Sequence, residues 1–249
     1  MIAPFDALDL LAIAAAYCIA GFAKGATGLG FSTICLPILA ATIGLKAGMP
    51  LVILPSLVSN LVVMSGAGPI TGAVRRFWPM LLAAPLGVAA GLFVLSAIEG
   101  DQAAGVLGAV LLAYCAFALR RPDVSLPARY EAPLGPLVGL STGLVNGVTG
   151  SQVMPLLPFL MSLQLAPNLF LQAINLSFTL SSLTMAIGLS RLGLMTWESG
   201  VVSAFGVGLA FLSVRAGERM RKSLSPEAFK RAVLGILILM GIGLLLRAL

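Results

Sequence analysis

Apolar residues run along this chain in long blocks, separated by short polar or proline-rich connectors. Ten blocks can be marked, at 7–23, 29–43, 49–67, 77–97, 102–119, 133–146, 150–163, 167–190, 196–214 and 230–247. A helix needs about 20 largely apolar residues to cross the hydrocarbon core of a bilayer. Several blocks reach that length. Those at 29–43, 133–146 and 150–163 do not, and they predict half-helices or re-entrant segments. The longest polar connectors lie at 120–131 and 215–231, and the first leaves five blocks on either side. The pattern predicts an all-α polytopic membrane protein with one transmembrane domain over 1–249. Five elements at 7–119 precede a linker at 120–132, and five more follow at 133–247.

Composition places these blocks in lipid rather than in a soluble core. Hydrophobic residues make up 59% of the chain and charged residues only 10%, with a mean hydropathy of +1.06. A soluble domain carries roughly a quarter of its residues as Asp, Glu, Lys and Arg. The opening segment MIAPFDALDL has no basic stretch before its apolar run, so residues 10–19 are expected to stay as a helix rather than leave as a signal. Cys18, Cys35 and Cys115 stand alone in apolar stretches and read as small buried hydrophobes. The chain has no histidine. No metal or cofactor is therefore expected, and His-based catalysis is excluded.

Charge orients the blocks. Let the chain start outside and reverse direction at each element. The connectors at 68–76, 120–132 and 214–231 then face the cytoplasm, together with Arg75, Arg76, Arg120, Arg121, Arg129, Arg215, Arg219, Arg221, Lys222, Lys230 and Arg231. Those are eleven of the 15 basic residues, against Lys46, Arg191 and Arg247 outside. This follows the bias of Lys and Arg toward cytoplasmic loops, and it puts both termini outside a cell membrane. The basic loop RAGERMRKSLSPEAFKR sets topology and touches anionic lipid; no nucleic-acid partner is implied.

Five elements per half require the second half to be inserted upside down relative to the first. The residues echo that arrangement. Gly21, Lys24, Gly25, Thr27 and Gly28 align without gaps on Gly143, Asn146, Gly147, Thr149 and Gly150, and Pro37 and Pro158 follow. Two inverted repeats whose broken helices meet near the midplane are a recurrent architecture of secondary transporters.

The segments GFAKGATGLGFSTICLPILA and GLVNGVTGSQVMPLLPFL, one in each half, resemble the TauE/SafE family of sulfite and organosulfonate exporters and permeases. In the second segment Ser151 and Gln152 stand where that family's pattern carries further glycines. The resemblance implies transport of a small anionic substrate, commonly a sulfur oxyanion or sulfonate such as sulfite or sulfoacetate.

The residue chemistry suits an anion. A helix that restarts after a break offers unpaired N–H groups at its positive end, and segments 25–30 and 147–152 are expected to supply two such ends. Gly25, Gly28, Gly30, Gly147 and Gly150 let a solute approach the backbone. Thr27, Ser32, Thr33, Thr149, Ser151 and Gln152 bring hydrogen-bond donors. Lys24 is a cation inside an apolar block, which marks a functional residue by default, and Asn146 holds the matching place. Asn60 and Asn175 are amides within long apolar runs that line the path or bond across helices.

Plainer roles compete. Gly135, Gly139, Gly143 and Gly147 recur every fourth residue, as close helix packing requires. Ser and Thr hydroxyls also bond their own helix backbone, and Lys24 near a block's end can snorkel. An enzyme would need a nucleophile with its base, or a metal cluster, and neither is legible. A membrane scaffold explains the apolar helices but not two polar junctions at matching places. No Asp or Glu occupies the middle of a block, so no carboxylate proton relay is expected. No residue pattern specifies a coupling ion or a homo-oligomer.

The charge pattern makes a direct prediction. Single cysteines at positions 75, 121 and 219, in a background without native cysteines, should resist an impermeant thiol reagent in intact cells. Labelling of all three from outside would reverse the orientation, and labelling of one alone would break the alternation.

Overall fold

A computed structural model describes residues 5–27, 30–120, 125–220 and 226–249. Gly28, Arg121, Arg221 and Lys222 lie outside the described residues, as does the side chain of Thr27. Among the described residues the chain forms ten α-helices, one short 3-10 turn and no strand. The helices are α1 (Ala7–Thr27), α2 (Phe31–Thr42), α3 (Leu45–Gly66), α4 (Thr71–Ala97), α5 (Gly100–Arg120), α6 (Glu131–Thr149), α7 (Leu156–Ser162), α8 (Pro167–Arg191), α9 (Trp197–Met220) and α10 (Pro226–Arg247). Each corresponds to one apolar block. Six of them, α1, α3, α4, α5, α8 and α9, are long and apolar enough to cross a membrane.

Three boundaries depart from the expectation. Helix α6 is not a half-helix: it runs for 19 residues, about 28 Å. Its glycines lower the local hydropathy without ending the helix. Helix α7 is correspondingly shorter than its block, at 7 residues. Helix α1 continues through Lys24 and Gly25 to Thr27, where a break had been expected.

Helices in lipid gain little from burying apolar surface against each other, so association rests on close packing of small residues. The α4–α6 contact shows this most fully. A methyl group added to Gly139, Gly143 or Gly147 would be driven into the carbonyl oxygens of Met80, Ala84 and Val88, in that order. The matching positions rise together, so α4 and α6 run parallel. Helices α1 and α9 repeat the arrangement, with Gly21 against Ala210 and Gly25 against Val214. In both pairs glycine sits where no Cβ fits.

Further contacts join elements of the two halves. Helix α3 packs on α9 and α8 packs on α4; α3 meets α8, and α5 meets α10. Helices α5 and α10 are antiparallel, since Gly105 faces Ala248 while Cys115 lies beside Leu234. At one end of the bundle Lys46 Nζ donates to Ile98 O (2.7 Å) and an Arg247 guanidinium nitrogen to Ala41 O (3.0 Å). At the other, Arg76 makes a bidentate ion pair with Glu131 (2.6 and 2.8 Å). The two starts it joins, α4 and α6, are those that charge assigns to one face.

Proline leaves its own mark. Pro55 inside α3 has no N–H, so the Leu51 carbonyl loses its helical donor. Tyr17 Oη (2.7 Å) and Ser203 Oγ (2.9 Å) donate to it instead. Helices α1, α3 and α9 meet at that one oxygen.

The glycine contacts predict a contrast. Gly143→Ala should destabilise the protein by about 1–3 kcal/mol through overpacking, read as a lower Tm in detergent. Gly208→Ala, where nothing lies within 4 Å of the added methyl, should be neutral or slightly stabilising. Equal effects would remove close backbone approach as the basis of the α4–α6 contact.

Candidate functional site

Side chains from six segments converge where α1 and α6 end. Lys24 comes from the last turns of α1 and Ser32 from the first turn of α2. Ser56 and Asn60 occupy one face of α3, four residues apart. Asn146 belongs to the last turn of α6, and Gln152 to the connector that follows. Asn175 and Ser182, seven residues apart on α8, complete the ring.

Two adjoining cavities lie among them. The first, about 20 Å³, is lined by Lys24, Gly30, Ser32, Ser56, Asn60, Gln152 and Asn175. The second, about 10 Å³, is lined by Ser32, Ser56, Asn146, Gly150, Gln152 and Ser182. Ser32, Ser56 and Gln152 are common to both. Each offers about the space of one water, so the site is contracted in this state. Beside it, Lys24 also lines a cleft of about 500 Å³ between α1, α3, α8 and α9, with Ser59, Arg215 and Glu218. Lys24 stands where the roomy cleft meets the contracted site.

The polar groups are buried and incompletely paired. Lys24 is 6% exposed and Asn146 is 1% exposed. Lys24 Nζ donates to Ser59 Oγ (2.7 Å) and Asn60 Oδ1 (3.2 Å). Among the described residues no carboxylate pairs with it. Gln152 Nε2 donates to Ser182 Oγ (3.0 Å), while its Oε1 has no partner. Both amide atoms of Asn146 and the hydroxyl of Ser56 are likewise without partners. A buried polar atom left unpaired costs roughly 1–3 kcal/mol. Four such atoms around two joined cavities fit a site built for something the protein does not itself supply.

The sequence candidates divide. Lys24, Gly30, Ser32, Asn60, Asn146, Gly150, Gln152 and Asn175 all reach the cavities. Gly25 lines the cleft, but its close neighbour is the α9 backbone, and Gly147 faces the α4 backbone. Thr149 spends its hydroxyl locally, donating to Val145 O (2.7 Å) and accepting from Ser151 N–H (3.1 Å). Ser151 is buried with an unpartnered hydroxyl, outside both cavity linings.

The expectation of two helix N-termini at 25–30 and 147–152 is corrected. Residues 25–27 and 147–149 belong to the C-terminal turns of α1 and α6. Gly30 (φ 87°), just before α2, and Gly150 (φ 71°), just after α6, take left-handed geometry that only glycine adopts readily. Only α2 begins beside the site, because α7 starts four residues beyond Gln152. Ser56, Ser59 and Ser182 escaped the sequence reading. Their signal is polar spacing on a helical face, Ser56–Ser59–Asn60 on α3 and Asn175–Thr179–Ser182 on α8.

The family model of the sulfite exporter TauE/SafE matches residues 13–244, a span that reaches from within α1 to within α10 and includes Gly30 and Gly150. The chain belongs to the sulfite exporter TauE/SafE family. It is a multi-pass membrane protein of an exporter-type transporter family. No curated protein and no solved structure matches the chain. Within a TauE/SafE protein, a ring of buried amides and hydroxyls around one lysine is suited to a small anionic solute.

Apolar replacement separates a binding role from a structural one. Asn146→Leu, nearly the same shape, should leave Tm unchanged or raised, since it removes two unpaired buried atoms. It should also abolish the rise in Tm caused by a bound anion. A drop in Tm would instead assign Asn146 to the fold.

Proposed function

We propose that the chain exports a small sulfur oxyanion or organosulfonate across the cell membrane, binding it between Lys24, Ser56, Asn60, Asn146 and Gln152. The observation that carries this reading is the meeting of one buried cation with four unpartnered polar atoms around adjoining cavities. The family supports the class of substrate. The matched helix contacts support an inverted repeat of 7–119 and 133–247, whose two halves contribute Lys24 and Asn146 to one site.

Direction follows from two features. The cleft beside Lys24 is bordered by Gly66 and Ala67 at the end of α3 and by Arg215 and Glu218 on α9. Charge assigns those ends to the cytoplasm, so the site is loaded from inside. An anion leaving a cell with a negative interior gains about 2.3 kcal/mol per charge per 100 mV. Export therefore needs no coupled ion, whereas uptake of an anion would. Among the described residues, the cavity linings contain no carboxylate to hold one.

Proteoliposomes with the potential clamped at either sign test the proposal, using a panel of sulfite, thiosulfate, sulfoacetate, taurine and sulfate. At least one sulfur anion should move, faster toward the positive side. Lys24→Ala should lower that flux at least about tenfold by removing a poorly screened charge, and Gln152→Ala should lower it less. Ligand-induced stabilisation, which follows mass action, should fall in parallel. Wild-type flux and stabilisation in both variants would move the binding site elsewhere.

A further inference from the structure

We infer that the site takes its oxyanion singly charged and still carrying a hydrogen, and rejects the fully ionised dianion. The inference rests on the anion-site reading above and concerns which ionic form that site admits.

The charge inventory decides the first half. Among the described residues, Lys24 is the one cation in the linings of the two cavities, and no Asp, Glu or Arg joins it. The rest of the polar side chains in the linings are neutral, from Ser32, Ser56, Asn60, Asn146, Gln152, Asn175 and Ser182. The other charged groups near Lys24 are Arg215 and Glu218, both exposed on α9 and of opposite sign, so together they add no net charge to the cleft. With one negative charge bound, Lys24 and the ligand neutralise each other. A dianion leaves one buried charge without a counterpart, and such a charge is strongly disfavoured at low dielectric.

Hydrogen-bonding capacity decides the second half. A fully ionised oxyanion only accepts. Yet the unpartnered atoms include two kinds: Ser56 Oγ and Asn146 Nδ2 can donate, while Asn146 and Gln152 each retain a carbonyl oxygen that needs a hydrogen. An amide always brings one acceptor, whichever way it is turned. An oxyanion that keeps one hydrogen satisfies donors and acceptors together. Loss of that hydrogen adds the second charge and removes the only donor the ligand has, so both terms oppose the dianion.

The purified full-length protein in detergent provides the test, with the shift in Tm as readout. The probes are sulfite on either side of its second ionisation, methanesulfonate as a fixed monoanion and sulfate as a fixed dianion. Sulfite should stabilise on the acid side and lose affinity at least about tenfold on the alkaline side. Methanesulfonate, singly charged but with no hydrogen to donate, should stabilise less than sulfite on the acid side and equally at both pH values, and sulfate should stabilise at neither.

Equal stabilisation by sulfate and methanesulfonate would overturn the inference and leave the anion site standing. A parallel alkaline loss for methanesulfonate would also overturn it, because the proton would then belong to the protein. If no anion shifts Tm, the anion-site reading falls and the inference with it.

A gain-of-function variant gives an independent arm. Asn146→Lys places a second cation at the position matching Lys24 and should turn the preference toward sulfate. Gln152→Lys tests the same point should the first variant not insert. A folded variant of either kind that still prefers methanesulfonate would count against the charge inventory.

Discussion

The close approach of helix backbones governs how this protein is built. Without a glycine seam, α4 and α6 would stand apart by the width of side chains, and so would α1 and α9. Gly143 against Ala84 O and Gly25 against Val214 O are among the points of closest approach. Because these seams draw the C-terminal turns of α1 and α6 inward, Lys24 and Asn146 end beside α3 and α8 rather than facing lipid. The polar site follows from packing that is itself almost wholly apolar. The same seams explain why glycines at 25 and 147 occur within helices without ending them.

Much of this was legible in the chain because lipid is a severe solvent. An amide or ammonium inside an apolar block has few acceptable explanations, so Lys24, Asn60, Asn146, Gln152 and Asn175 stood out, and all reach the cavities. Serine gives no comparable signal, since its hydroxyl is satisfied by the preceding turn of its own helix. Ser162 does this, donating to Phe159 O (2.7 Å), while Ser56 does not, and nothing in the letter distinguishes them. Helix ends were misplaced for a related reason. Glycine permits both a break and a close contact, and only backbone geometry separates Gly150, in left-handed conformation, from Gly147, three residues earlier in a regular helix. The ten elements themselves were legible because hydropathy measures the environment directly. Helix α6 was shortened on that scale by the glycines that let it pack.

Stability and specificity pull against each other in the site. The Ser56 hydroxyl, both amide atoms of Asn146 and the Gln152 carbonyl oxygen are held in the protein interior without the partners that would repay their dehydration. A leucine or alanine in their place would give a more comfortable bundle. Their arrangement is sustained by the surrounding apolar clusters, in which Leu36, Leu39, Leu51 and Met49 are almost fully buried. The contracted volume fits that balance, since a larger empty polar chamber would fill with water.

The three-way junction at the Leu51 carbonyl has a mechanical consequence. Tyr17 and Ser203 both depend on that oxygen, which Pro55 makes available. Sliding α1 along α3 would strand the Tyr17 hydroxyl and sliding α9 would strand that of Ser203, each at roughly 1–3 kcal/mol. The three helices are thereby clamped into a single strut. Lys24 is carried on this strut and Asn146 on α6, outside it. A shift of the strut against α6 would change the spacing of the two residues without bending a single helix.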